Sequence, residues 1–205
     1  MKTDTLDSSP KLRGRPREFD MDAALDEALR VFTERGYYAA SISELTEAMG
    51  LTAGSVYKAF KDKRGVFLAA LGRYRQVRRA LLDERLAEAV NGREKLRAYL
   101  IFYAESSHDD IGRQGCLVVG STTELALFDE EAASRVAFSF ESDEQLLNDL
   151  IRLGQQDGSI RPDLDVASVA RTQLCLTKGM RVVGKTGRTR EEMIAVAETA
   201  VTLLD

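Results

Sequence analysis

Between Asp20 and Phe60 the chain is punctuated so closely that one local plan is open to it, three short helices joined by sharp turns. Asp20 is an N-cap candidate. Met21, Ala24, Leu25, Ala28 and Phe32 follow at helical spacing until Gly36 ends the run. Ser41 or Ser43 then caps a short helix carrying Leu45 and Ala48, with Glu44 in its first turn, where a carboxylate suits the helix dipole. Gly50 stops that helix, Leu51 turns inward, and Thr52 is placed to cap a third helix running to Phe60. Helix, short helix, glycine-containing turn, helix is the helix-turn-helix plan.

The third helix, 53–60, carries an unusual pairing of residue types. Gly54 and Ser55 near its start are small enough to let the helix approach a phosphate or a base edge closely, and Tyr57-Lys58 can grip backbone phosphate. From Lys63 a long helix is predicted with Phe67, Ala70, Leu71, Tyr74, Val77, Leu81 and Leu82 on one face, continuing to about Val90 before Asn91-Gly92. Another carries Leu96, Tyr99, Leu100, Phe102 and Tyr103 and breaks near His108–Gly112. The apolar stretch from Gly115 to Leu127 reads as either buried helix or strand, and the helical context favours helix. Ala133 to Gly154 mark a long helix ending at Gly158, and two apolar helices follow over about 165–184 and 190–204. The whole is all-α.

With 205 residues, 44% apolar and 30% charged, the chain can bury a substantial core. No apolar run has the length of a membrane span and no signal-peptide core follows Met1, which points to the cytoplasm. Cys116 and Cys175 are then free thiols. The net charge of −4 argues against a nucleic-acid partner until its distribution is considered. Lys11, Arg13, Arg15 and Arg17 form a basic arm free of acids, and Lys58, Lys61, Lys63 and Arg64 cluster around one Asp62. The polar, Pro- and Gly-broken segment 1–16 is expected to be disordered in the free protein.

Over roughly residues 15–75 the chain resembles the TetR family of transcriptional regulators. Phe32, Gly36-Tyr37, Ser41-Ile42, Glu44-Leu45, Ala48-Met-Gly50-Leu51, Gly54-Ser55-Val56-Tyr57, Phe60, Lys63 and Phe67 carry the likeness as an ordered set. Ala40 and Ala59 depart from it, standing where threonine and where histidine or tyrosine are common. The resemblance implies an all-helical homodimer of about nine helices. It further implies a helix-turn-helix domain over 17–64 and an effector-binding and dimerisation domain over 65–205, the latter matched in layout only.

On this reading helix 53–60 enters the major groove of a double-stranded DNA operator. Thr52, Ala53, Gly54 and Ser55 approach bases and phosphates, and Tyr57, Lys58 and Lys63 contact phosphates, while Ser41 and Ser43 offer hydroxyls to the backbone. Arg13, Arg15 and Arg17 suit a narrow minor groove. Tyr99, Phe102, Tyr103, Phe128, Phe138 and Phe140, with His108 and Cys116, are candidates to line a cavity for a small-molecule effector of unknown identity. Each of the aromatics taken singly reads as plain core more readily than as a ligand contact. Cys116 at a helix N-terminus beside Arg113 has the setting of a reactive thiol, and alternatively that of a small buried apolar residue. Helices 165–184 and 190–204 offer a dimer face.

A single histidine, no phosphate loop, no nucleophile–base pair and no paired metal-ligand spacing leave an enzyme little to work with, and no cofactor or metal is expected. A thiol-dependent enzyme using Cys116 and a helical adaptor that no longer binds DNA are the rival readings. The sequence favours a dimeric repressor that leaves a pseudo-palindromic operator on binding a ligand, or on modification of Cys116.

Overall fold

The computed structural model describes residues 20–205, and among these every regular element is helical. Helices α1 (Met21–Ala39), α2 (Ile42–Ala48) and α3 (Ala53–Phe60) form the N-terminal unit. The side chains read as caps do that work. Asp20 accepts from the backbone of Asp22 and Ala23, Ser41 forms a reciprocal capping box with Glu44, and Thr52 accepts from the backbone of Ser55. Ser43 is left on the exposed surface of α2.

Helix α4 (Lys63–Ala87) follows after a turn in which Lys61 has φ 71°, and Gly65 in its first turn lies so close to the Phe60 carbonyl that a Cβ would sit 1.8 Å from its oxygen. Leu25, Phe32, Leu45, Val56, Phe67 and Leu71 are buried together in a first core. Phe32 and Phe67 meet edge to face at 5.1 Å between ring centroids, and Tyr37 closes on Phe67 at the same distance. Aromatic pairs in this geometry add about 0.5–1.5 kcal/mol each beyond burial.

The larger part comprises α5 (Gly92–Glu105), α6 (Asp109–Gln114), α7 (Leu117–Glu124), α8 (Glu130–Asp157), α9 (Val166–Val183) and α10 (Arg190–Val201). The expected break after α5 contains the short helix α6, and the ambiguous Gly115–Leu127 stretch contains helix α7. A second core joins Leu82 and Leu86 of α4 to Leu96, Tyr99 and Leu100 of α5, Leu147 and Ile151 of α8, and Met193 and Ala197 of α10. Leu117 and Val118 of α7, Leu125 at its C-cap, and Ala132 and Val136 of α8 belong to the first core instead. The N-terminal unit is therefore packed through α1 directly on α7, and α4 runs through both cores. Among the described residues no helix is long and apolar enough to cross a membrane.

Candidate functional site

The outward face of α2 and α3 collects small and polar groups above a buried Val56. Thr52, Ala53, Gly54, Tyr57 and Lys58 are exposed and Ser55 is half-buried. The Thr52 hydroxyl is 2.9 Å from that of Ser55, so both are held at the helix N-terminus, where free N–H groups and the dipole favour an anion. A side chain at Gly54 would meet nothing nearer than the Thr52 oxygen at 4.0 Å, which leaves open space over the first turn. Tyr57 is 51% exposed, a large aromatic turned to solvent and not packed under Phe60.

Lys63 departs from the expected phosphate contact. Its ammonium points into the protein and donates to the carbonyls of Tyr37 at 3.0 Å and Ala40 at 3.1 Å, while lying 4.6 Å from the centre of the Tyr37 ring. The reason is local. Gly36 breaks α1 with φ 79°, which strands carbonyls at the helix end, and a cation fixed at the start of α4 satisfies them. Arg13, Arg15 and Arg17 lie outside the described residues.

Three further contacts tie this unit to the rest. The Glu124 carboxylate at the end of α7 accepts from the Tyr37 backbone N–H at 2.7 Å. Arg73 of α4 holds Asp22 at 2.9 Å and Asp26 at 3.1 Å on α1. Arg64 forks onto Asp129, the cap of α8, and also reaches Glu131 at 3.0 Å. The Arg64 guanidinium and the Ala132 N–H lower the Asp129 carboxyl from 3.8 to about 2.

Farther along α4 from Lys63, about 18 and 22 Å at 1.5 Å per residue, Arg75 and Arg78 border a cavity of about 240 Å³ enclosed by α4, α5, α7, α8 and α9. Phe102, Tyr103 and Cys116 line it as expected. The other candidates do not. Tyr99 is buried in the second core behind Tyr103, and Phe140 packs against the first core. Phe128 is 76% exposed in the α7–α8 turn, and Phe138 is 57% exposed beneath the Arg75 guanidinium, so both are corrected from cavity liners to surface residues. Their positions on α8 and its approach face outward. His108 stands at the N-cap position of α6 without a side-chain capping bond and contacts Asp109 at 2.7 Å, away from the cavity. No group of three metal-ligating side chains converges among the described residues.

The thiol also finds a different cation from the one expected. Arg113 is an exposed partner of Asp110, at 3.4 Å. The charge beside Cys116 belongs to Arg181 of α9, which is 3% exposed, donates to the Gly115 carbonyl, and has Nε and Nη1 without hydrogen-bond partners. Burial pushes the Cys116 thiol up, but Arg181, the Tyr74 hydroxyl 3.4 Å from Sγ, the Val119 N–H and Lys178 outweigh it and leave the thiol below its ordinary range. Facing it, Lys178 pairs with Asp143, which accepts from the Tyr103 hydroxyl at 3.0 Å. Lys178, Arg181 and Asp143 went unread in the sequence. Their one signal was charge at inward positions of otherwise apolar helix faces.

Comparison with known proteins is consistent along the whole chain. Residues 24–70 match the model of bacterial regulatory proteins of the tetR family, and residues 92–201 match that of the tetracyclin repressor-like C-terminal domain. The HTH-type transcriptional repressor ComR of Escherichia coli (strain K12) is 31% identical over 204 residues, covering 99% of this chain and 97% of ComR. A cysteine mutant of the regulator CifR, complexed with 26bp double-strand operator DNA, superposes with a TM-score of 0.83 at 31% identity, over 93% of this chain and 100% of CifR. A TetR-family regulator from Cytophaga hutchinsonii gives a TM-score of 0.77 at 25% identity, over 88% and 90% of the two chains. The capped helix-turn-helix with its open first turn, the helical body behind it and these matches across both parts have one conclusion: the chain belongs to the TetR family of DNA-binding transcriptional regulators, which are not enzymes.

Proposed function

We propose that the protein is a cytoplasmic, homodimeric repressor that leaves a pseudo-palindromic operator when a small molecule occupies the cavity bordered by Arg75, Phe102 and Cys116. The observation that carries this reading is shared structure. Helices α4 and α7 form cavity wall at one end and hold the DNA-reading unit at the other, through Lys63, Arg73 and Glu124. An occupant that shifts either helix moves α3, and binding coupled in that way is reciprocal. The division of labour follows: 17–64 reads DNA and 65–205 takes effector and partner.

Thr52, Ala53, Gly54 and Ser55 approach base edges, Ser41, Ser43, Tyr57 and Lys58 contact backbone, and Arg13, Arg15 and Arg17 enter the minor groove. The dimer forms through α9 and α10. Val182, Val183, Val196 and Leu203 are exposed there around apolar grooves lined by Leu176 and Met193, and two such helices from each copy make a four-helix bundle. The two recognition helices then stand roughly 34–36 Å apart, one DNA turn. Selecting bound sequences from a random duplex pool tests this directly. An inverted repeat with half-sites one turn apart is the expected result, and a single unrepeated site, or no enrichment, would remove the reading.

A second reading, modification of Cys116 by an electrophile, is favoured by the lowered thiol bordering the same cavity. N-ethylmaleimide is expected to release DNA from the native protein and to leave a Cys116→Ser variant bound. Equal release from both would exclude it.

A further inference from the structure

We infer that the cavity is built for an organic anion, a compact carboxylate with an aromatic or short aliphatic body; the inference rests on the effector reading above. Four cations border the cavity and two of them are already matched. Arg79 holds Asp83 at 2.8 Å, and Lys178 holds Asp143. Arg75 and Arg78 have no carboxylate within 4.0 Å among the described residues, so the lining keeps an excess of positive charge.

Both guanidiniums are positioned by stacking. Arg78 lies 4.0 Å from the centre of the Phe102 ring, and Arg75 lies 4.7 Å from that of Phe138. A stacked guanidinium is oriented through its face and keeps its in-plane N–H donors for another partner, the fork geometry that a carboxylate fills with two parallel hydrogen bonds. Burial lowers Arg75 from its ordinary value against the pull of Asp143, a carboxylate that Lys178 already holds. Leu82, Val118 and Val119 supply an apolar wall for the rest of the ligand. Arg75 and Arg78 stand on α4, so an anion drawn to them acts on the helix that carries Lys63 and Arg73.

The test is calorimetric titration of the full-length protein with benzoate and with its neutral isostere benzamide, alongside operator release followed by fluorescence anisotropy. Neither probe alkylates a thiol, so the Cys116 reading does not affect the outcome. Benzoate is expected to bind with at least tenfold preference over benzamide and to weaken at least tenfold in Arg78→Met, whose apolar stem still covers Phe102. Arg75→Met, on the other side, is expected to weaken it similarly, so the prediction does not depend on one variant folding. Equal binding of the two probes, no binding of benzoate, or native affinity in both variants would overturn the anion site. Arginine-dependent benzoate binding without DNA release supports the anion site and counts against the effector reading alone.

Discussion

Lys63 gives the sharpest test of how the reading head is held. Its ammonium donates to the Tyr37 and Ala40 carbonyls and rests on the Tyr37 ring, so it closes the broken end of α1 from α4. Lys63→Met keeps the stem against the ring and removes the donors. A hydrogen bond to a charged group is worth roughly 1.5–3 kcal/mol, and water replaces part of that at a half-buried site. The expected loss is about 2 kcal/mol, a fall of about 4–8 °C in Tm for a chain of this size, measured at fixed protein concentration. DNA affinity should fall by the same factor at low and high salt, because α3 loses its orientation while no phosphate contact is removed. Anisotropy titrations over a salt series read this as an unchanged slope of log K against log salt. A slope shallower by about 0.9 with native Tm would refute the capping role and return Lys63 to a phosphate.

Other perturbations separate structure from recognition. Tyr57→Ala should leave Tm nearly unchanged, the side chain being exposed, and weaken DNA binding about tenfold, on the order of 1.4 kcal/mol; native affinity by gel shift would exclude Tyr57 from the interface. Gly36→Ala places a Cβ 2.7 Å from the Glu124 carboxylate at φ 79° and should cost about 1–3 kcal/mol in thermal denaturation; a native Tm would show that α1 and α7 are not tightly coupled. Asp129 has its carboxyl lowered to about 2, so its pairing with Arg64 is fully stabilising above about pH 4 and is lost as pH falls toward 2. Asp129→Asn should flatten acid unfolding in that window, and an unaltered acid limb would count against the pairing. Alkylation of Cys116 should reach half its maximal rate at a lower pH than a free thiol does, with Arg181→Met moving the midpoint up; coincidence with free cysteine would remove Arg181 as the cause.

How much was legible depends on the range of each interaction. The caps at Asp20, Ser41 and Thr52 act on N–H groups two or three residues away, so residue type and spacing were enough to place three helices and the exposed first turn of α3. The family likeness rested on the same local grammar, and it extended to the helical body only in layout. In the C-terminal half, periodicity located the helices but left each aromatic with two fates. Phe102 and Tyr103 border the cavity, whereas Phe128 and Phe138, of the same chemistry, face solvent.

From the sequence alone came an all-α chain with a DNA-reading motif and a larger helical body behind it. Only the tertiary structure decided which charges meet. Lys63 finds carbonyls 26 and 23 residues away, Glu124 finds Tyr37 across 87, and Arg181 reaches Gly115 across 66 to stand beside Cys116, the place expected for Arg113. Helical periodicity states which face of a helix is buried but not what it is buried against, and the chemistry of a lysine, a carboxylate or a thiol is set by that partner.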